Sequence, residues 1–274
     1  MKVNYLQLRS SLSEGNRQRV KGLAAAAVDW IPVPWGLELI AWRYGTDKAV
    51  HGYMPYYARH FAPFRQQPIK MLEIGIGTYG PRGGGASLRT WQRYFPRGQI
   101  YGLDIVDKKM HEDRRVRVYQ GDQSDKAFLH RTAQEIGPIQ IMIDDGSHVN
   151  EHVLASFEAL FPLLQVGGLY VIEDIQTAYL THMGGSSQDL SKPGTSMNLV
   201  KSLCDEVNAM FIVQHALKPW SRHIESVHVY RNIVFIEKGD SASYAVHDYA
   251  KIMMQEELAL HAPAAPTQGA VRGA

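Results

Sequence analysis

The chain has 274 residues, 45% of them apolar, and 29 basic against 27 acidic side chains, for a formal charge of +2. That length and apolar content suffice to bury a full core, and the near balance of charge carries no footprint of nucleic-acid binding, so a small or neutral substrate is expected. The single cysteine, Cys204, excludes a disulfide framework and a cysteine-cluster metal site, and it suits a reducing, cytoplasmic compartment.

Residues 1–44 read as a helical lead-in. Its most apolar stretch, LAAAAVDWIPVPWGLELIAW (23–42), is interrupted by Asp29, Pro32, Pro34 and Glu38. It therefore lacks the roughly 20 uninterrupted apolar residues of a spanning helix. It also lies far into the chain and shows no small-residue cleavage site, which argues against a secretory leader. Contact with a membrane surface is the minority reading. The next stretch, GTDKAVHGYMPYYARHF (45–61), is dense in Tyr and His. Such side chains suit a core-to-surface cap, and they equally suit a wall against a sugar ring.

From residue 69 onward, short apolar runs alternate with helical spacing, the pattern of buried parallel strands with crossover helices. The expected strands are IKMLEIG (69–75), QIYGLDI (99–105), VRVYQGD (116–122), IQIMIDD (139–145) and GGLYVIED (167–174), with helices in SLRTWQRYF, KAFLHRTAQEI and HVLASFEALFPLL between them. A helix over 197–215 is expected next. ESVHVYR and IVFIEKG, separated by Asn232, then form a closing pair with at least one antiparallel strand, and a helix follows over about 244–260. The predicted architecture is α/β, a doubly wound, mostly parallel sheet with an antiparallel edge. It makes one catalytic domain over 45–260 and ends in a disordered, low-complexity tail over 261–274.

LEIGIGTYGPRGGG (72–85) holds Gly75, Gly77 and Gly80 at the spacing of a dinucleotide fingerprint. That fingerprint needs its helix to start inside the motif, so that the pyrophosphate sits on the helix N-terminus. Here Pro81, Arg82 and three more glycines delay the helix to about Ala86. Glu73 lies in the strand before the turn, where a carboxylate suits a cationic amino-acid group better than a pyrophosphate. Asp104 ends the second strand, placed to accept from both ribose hydroxyls. Gly121 and Asp122, in QGDQSD at the end of the third strand, would border the adenine. S-adenosylmethionine (SAM) carries an ammonium and a sulfonium and no phosphate, so this acidic, glycine-lined set favours it over NAD. The carboxyl ends of the strands are where ligands of open α/β sheets bind.

IDDGSH (143–148) ends the fourth strand and IEDIQTAY (172–179) the fifth. Neighbouring strands of this kind would gather Asp144, Asp145, Glu173 and Asp174, and several carboxylates share a pocket only around a cation. Hard oxygen donors select Mg²⁺. Asp145, Glu173 and Asp174 are the expected ligands, with Asp144 free to face the cofactor. Acids at strand ends also serve as solvated turn residues or helix caps, which is the plain alternative. His148, three residues after Asp145, is expected to act as general base, since an imidazole titrates near neutrality. A packing or capping role is its alternative.

GTDK…HGY, LEIGIG, GGGASLRTWQRYFPRG, GLDI, QGDQSD, IDDGSHVNEHV and GGLYVIEDIQTAY occur in this order. Over about residues 45–185 the sequence thereby resembles the metal-dependent sugar O-methyltransferases of macrolide and polyketide biosynthesis. The resemblance implies a class I SAM-dependent fold with Mg²⁺ holding adjacent sugar hydroxyls. It also implies Asp145, Glu173 and Asp174 as metal ligands, His148 as base, and Glu73, Gly75, Asp104 and Asp122 at the cofactor with Asp144 beside them. The acceptor it implies is a small-molecule or oligosaccharide sugar, on a macrolide, polyketide, rhamnosyl glycolipid or methylated mannoside. Two departures bear on that acceptor. A member of the family has a large additional N-terminal domain where 44 residues precede GTDK here, and Leu180, Thr181 and His182 stand where relatives tend to be aromatic and proline-rich. Homo-oligomerisation is left open by the sequence.

Three rival functions follow from the same residues. An NAD-dependent oxidoreductase is favoured by the literal glycine spacing and opposed by Pro81. A metal-dependent hydroxylase would show two His and one carboxylate, where a single well-placed His148 is found. A carbohydrate-binding protein that kept the fold would have little use for intact Asp145, His148, Glu173 and Asp174.

Overall fold

A computed structural model describes residues 36–77, 83–209, 212, 218, 220–240 and 248–260. The expectations for residues 1–35, for Gly80 and Pro81, and for the tail 261–274 lie outside the described residues. The helices are α1 (Leu37–Tyr44), α2 (Met54–Phe61), α3 (Ala86–Tyr94), α4 (Lys126–Ile136), α5 (Asn150–Leu160), α6 (Ser196–Glu206) and α7 (Asp248–Leu260). The strands are β1 (Lys70–Ile74), β2 (Gln99–Asp104), β3 (Val116–Gln120), β4 (Ile139–Asp144), β5 (Leu164–Glu173), β6 (Ile224–Tyr230) and β7 (Ile233–Lys238), in a seven-stranded sheet of order β3-β2-β1-β4-β5-β7-β6. β2–β3, β1–β4 and β4–β5 pair in parallel, and β5–β7 and β6–β7 pair antiparallel. This is the expected mostly parallel sheet with an antiparallel edge.

The chain divides into two compact units, one running up to Ile69 and including Ile76–Gln120, the other formed by Lys70–Gly75 and everything from Gly121. In the first unit the aromatic stretch resolves to core. Tyr57 and Phe61, one helical turn apart on α2, pack their rings 4.9 and 5.4 Å from Trp91 of α3, and all three are buried. The spacing i, i+4 puts both rings on one face of the helix, and the sugar-wall reading finds no support in these two side chains. Leu37, Ile40 and Ala41 bury one face of α1.

In the second unit the centre of the sheet is apolar on both faces. Ile141, Met142, Ile143, Val171, Ile172, Val234, Phe235 and Ile236 are buried, as continuous β-branched runs predict. Phe157 of α5 stacks on Phe161 at 4.8 Å and meets Tyr170 of β5 edge-on at 5.2 Å, fixing that helix to the strands beneath it. α4 starts where its sequence says it should. Asp125 accepts from the Phe128 amide at 2.9 Å, and Gly137 ends the helix with a positive φ. β5 begins three residues earlier than the expected Gly167, because the chain enters the sheet through an irregularity opposite residues 139–141. Among the described residues, no helix is long and apolar enough to cross a membrane.

Candidate metal centre and the loops around it

β4 and β5 are parallel neighbours, with Asp144 opposite Ile172, so their carboxyl ends deliver the residues after them to one edge. Asp145 and His148 come from the turn after β4, and Asp174 directly follows β5. Each offers one donor atom, and these atoms lie within 4.8 Å of one another. His148 Nε2 stands 3.5 Å from Asp174 Oδ2 and 3.9 Å from Asp145 Oδ1, with all three side chains about one-fifth to one-quarter exposed. They are shielded enough to strengthen a charge interaction, yet open enough to admit a ligand.

The backbone is bent to achieve this. His148 (φ 58°) and Asp174 (φ 52°) both occupy the left-handed region. For a residue with a Cβ this costs roughly 1–2 kcal/mol each, and such strain is typical of functional sites. Two carboxylates and one imidazole, all hard or borderline donors converging within the span of one ion, fit a divalent cation that keeps open positions.

The four acids expected together divide instead. Asp144 and Asp145 are consecutive at a strand end, so they point to opposite faces. The Asp144 carboxyl turns into the interior, where Oδ1 accepts from Gln123 Nε2 at 2.8 Å. Burial pushes its pKa up to about 7, against the opposing pull of hydrogen bonds from Ser156, Gln123 and the Gly146 amide. Burial, with Asp144 next to it, likewise raises the Tyr170 phenol. Glu173 ends β5 with its side chain buried, and it does not join the donor group formed by Asp145, His148 and Asp174.

The cofactor residues predicted from sequence are placed as follows. Glu73 is fully buried in β1, opposite Ile143. Gly75 turns the chain at φ 83°, and a Cβ there would lie 2.0 Å from the Asp145 carbonyl oxygen, so only glycine lets the two strand ends meet. Gly77 also has a positive φ. The loop closes with Gly85 N donating to Ile76 O at 2.8 Å, and α3 begins at Ala86, as the run of glycines predicts. Asp104 accepts from the amides of Ile76 (3.0 Å) and Val106 (2.9 Å), one on each carboxylate oxygen. Lys108, fully buried, donates to Gly83 O at 2.8 Å. In the other unit, Gly121 makes room for the Phe128 ring. Asp122 accepts from the Ser124 amide and hydroxyl, both at 2.8 Å, and these bonds hold its carboxyl below the usual range.

Two residues escaped sequence reasoning. Gln123 joins Asp144 and Ser156 through Nε2 and accepts from Ser147 N through Oε1, tying the turn after β3 to the turn after β4. Asn150, buried at the start of α5, contacts the segment after β5. Each is a lone amide in a polar stretch, so only its burial distinguishes it from a solvated neighbour.

No protein-family model matches the chain. It is 48% identical over 209 residues to the mycinamicin VI 2''-O-methyltransferase of Micromonospora griseorubida, a match covering 72% of this chain and 51% of that protein. To the 8-demethyl-8-alpha-L-rhamnosyl tetracenomycin-C 2'-O-methyltransferase of Streptomyces olivaceus it is 45% identical over 218 residues, 78% of this chain and 57% of the other. The MycE methyltransferase of the mycinamycin pathway, solved in complex with Mg, SAH and mycinamycin VI, superposes with a TM-score of 0.70 at 48% identity, over 76% of this chain and 55% of that one. The chain thus spans about half the length of the curated relatives it matches. Over that shared stretch it is similar in sequence to sugar O-methyltransferases of macrolide and polyketide pathways, and it has the class I SAM-dependent methyltransferase fold.

Proposed function

We propose that the chain is a Mg²⁺- and SAM-dependent O-methyltransferase that methylates a sugar hydroxyl of a glycosylated small molecule in the cytoplasm. The observation that carries this is the group Asp145, His148 and Asp174, whose donor atoms lie within 4.8 Å of one another in a chain with such relatives. Asp145 and Asp174 are assigned as metal ligands. Glu173, buried at the end of β5 beside Asp174, is assigned as the third carboxylate that would hold the ion. Glu73, Gly75, Gly77, Asp104, Gly121 and Asp122 are assigned to SAM, with Asp144 behind them, its Oδ1 accepting from Gln123 Nε2. The start of α3 at Ala86, past the glycine spacing, speaks against a dinucleotide.

When bound, the divalent ion supplies the charge that lowers a sugar hydroxyl's pKa, and SAM supplies the methyl group. His148 accepts the hydroxyl proton at Nε2, the atom that faces Asp174 Oδ2 at 3.5 Å. Asp174 and Asp145 then flank the imidazolium that results. The strained backbone at His148 and Asp174 orients both side chains before substrate arrives, which is the positioning part of catalysis.

The test is incubation of the full chain with methyl-labelled SAM, Mg²⁺ and a panel of deoxysugar glycosides and mannosides. Mass analysis should show the gain of one methyl group, lost in excess EDTA and regained with Mg²⁺. Full transfer in EDTA would remove the metal from the proposal, and no labelled product from any member of the panel would remove the sugar.

A further inference from the structure

Asp145 and His148 stand on one loop and Asp174 on another, so something must hold the two loops in register. Backbone pairing of β4 with β5, and the Ile175 amide donating to Asn232 O, set where both loops start, but β5 ends at Glu173 and the segment beyond Ile175 has no strand partner among the described residues. The residues after Asp174 form two short 3₁₀ turns, Ile175–Tyr179 and Thr181–Met183, followed by an irregular run to α6.

Asn150 is 1% exposed and lies two residues after His148, in the first turn of α5. Its Nδ2 donates to Thr177 O at 3.2 Å and to Met183 O at 2.8 Å, one carbonyl from each 3₁₀ turn. Its Oδ1 accepts from the Ser196 amide at 2.7 Å and from the Ser196 hydroxyl at 2.9 Å, at the first residue of α6. One amide thus uses both donor hydrogens and both acceptor positions, leaving no hydrogen-bonding capacity for another role. Its partners bracket the segment 177–196 at three points, and Asp174 is three residues before the first of them.

We propose that Asn150 is a positioning residue for the metal-binding acids. It pins the segment after β5 to the helix that follows His148, and so holds Asp174 at the separation from Asp145 that one ion can span, with His148 beside both. The inference rests on the proposed metal site. Groups that orient ligands from behind typically change metal affinity ~10–100-fold when removed. Without the amide, Asp174 keeps its chemistry but loses its place, and the effect should fall on the ion rather than on SAM.

The experiment uses the full chain and two variants. Asn150→Ala removes all four bonds. Asn150→Asp keeps the volume and the acceptor toward Ser196 while adding negative charge, which by itself would favour a cation. Mn²⁺ binding is followed by titration calorimetry or electron paramagnetic resonance, SAM binding by calorimetry, and amide exchange is read over residues 175–185. Asn150→Ala should weaken Mn²⁺ ~10–100-fold, with a smaller loss in Asn150→Asp. SAM affinity should stay within about threefold, exchange over 175–185 should speed up, and raised Mg²⁺ should restore methyl transfer; a variant that merely unfolds would not be restored. Asp174→Ala separates the two claims. If it binds Mn²⁺ as the parent does, the metal site falls and this inference with it. If it loses Mn²⁺ while both folded Asn150 variants keep parental affinity, only the role of Asn150 is overturned.

Discussion

The turn after β1 and the two loops that carry the acids are both sharp reversals at strand ends, built from opposite materials. At Gly75 and Gly77 positive φ is free of steric cost, and what the turn delivers is backbone and space. At His148 and Asp174 the same region of φ is occupied by residues that pay for it, and what those loops deliver is charge. A loop of the second kind needs external bracing, and Gln123 and Asn150 supply it with bonds from their side-chain amides. Where a fold must present a side chain at a strained position, its supports are found one residue layer behind it.

The comparison is broken most completely by removing the charge. Asp145→Ala or Asp174→Ala should lower methyl transfer at least ~10³-fold, as losing a cation that several kcal/mol of catalysis depend on implies, while SAM binding by calorimetry stays intact. Turnover within tenfold of the parent would mean that neither acid holds the ion. His148→Ala comes next, with an expected rate loss of ~10²–10⁴. His148→Gly sharpens it: both variants lack the base, but the glycine form should be more heat-stable by about 1 kcal/mol because φ 58° no longer carries a Cβ. Equal melting temperatures would show that the backbone there is unstrained.

The glycine side is tested by Gly75→Ala. The added Cβ would meet the Asp145 carbonyl, so the strand ends must part. A stability loss of about 2–4 kcal/mol in denaturant unfolding is expected, and a loss below about 0.5 would mean that the turn yields easily.

The last effect falls on the pH dependence of stability and not on turnover, and it concerns Asp144, whose pKa is raised to about 7 by burial. Because the folded state holds this proton more tightly than the unfolded chain does, the contribution is full below about pH 4 and is lost as pH rises through 7. Asp144→Asn should therefore flatten the decline in stability between those limits, by up to about 4 kcal/mol, with SAM affinity within threefold. An unchanged pH profile would place the Asp144 titration elsewhere.

Much of this was legible in sequence, for a physical reason. Continuous apolar runs ending in acids or glycine mark buried parallel strands, and α4 carries both of its boundary signals, Asp125 and Gly137. The delayed start of α3 was written in Pro81 and the glycines after it. What was not legible was that Glu173 stands apart from the donor group and that Asp144 turns into the interior. IDD and IED each offer a pair, and only the phase of the strand decides that Asp145 and Asp174 join His148 while Asp144 turns inward. That phase follows from the two-residue period of β4, in which Asp144 is the last strand residue and Asp145 the first of the turn. Asn150 is a different case, because its four partners lie 27 to 46 residues away and no local pattern announces them.

The two-residue connection between β6 and β7 is the sort of exposed bend where a chain ordinarily accepts a tag, a label or a longer loop. Here the carbonyl of Asn232, held at φ 63°, accepts from the amide of Ile175, the residue directly after Asp174. An insertion at this bend would therefore be felt across the molecule's chemistry. Protein engineers and natural variation alike should find the distal tip of the C-terminal hairpin less permissive than its position suggests.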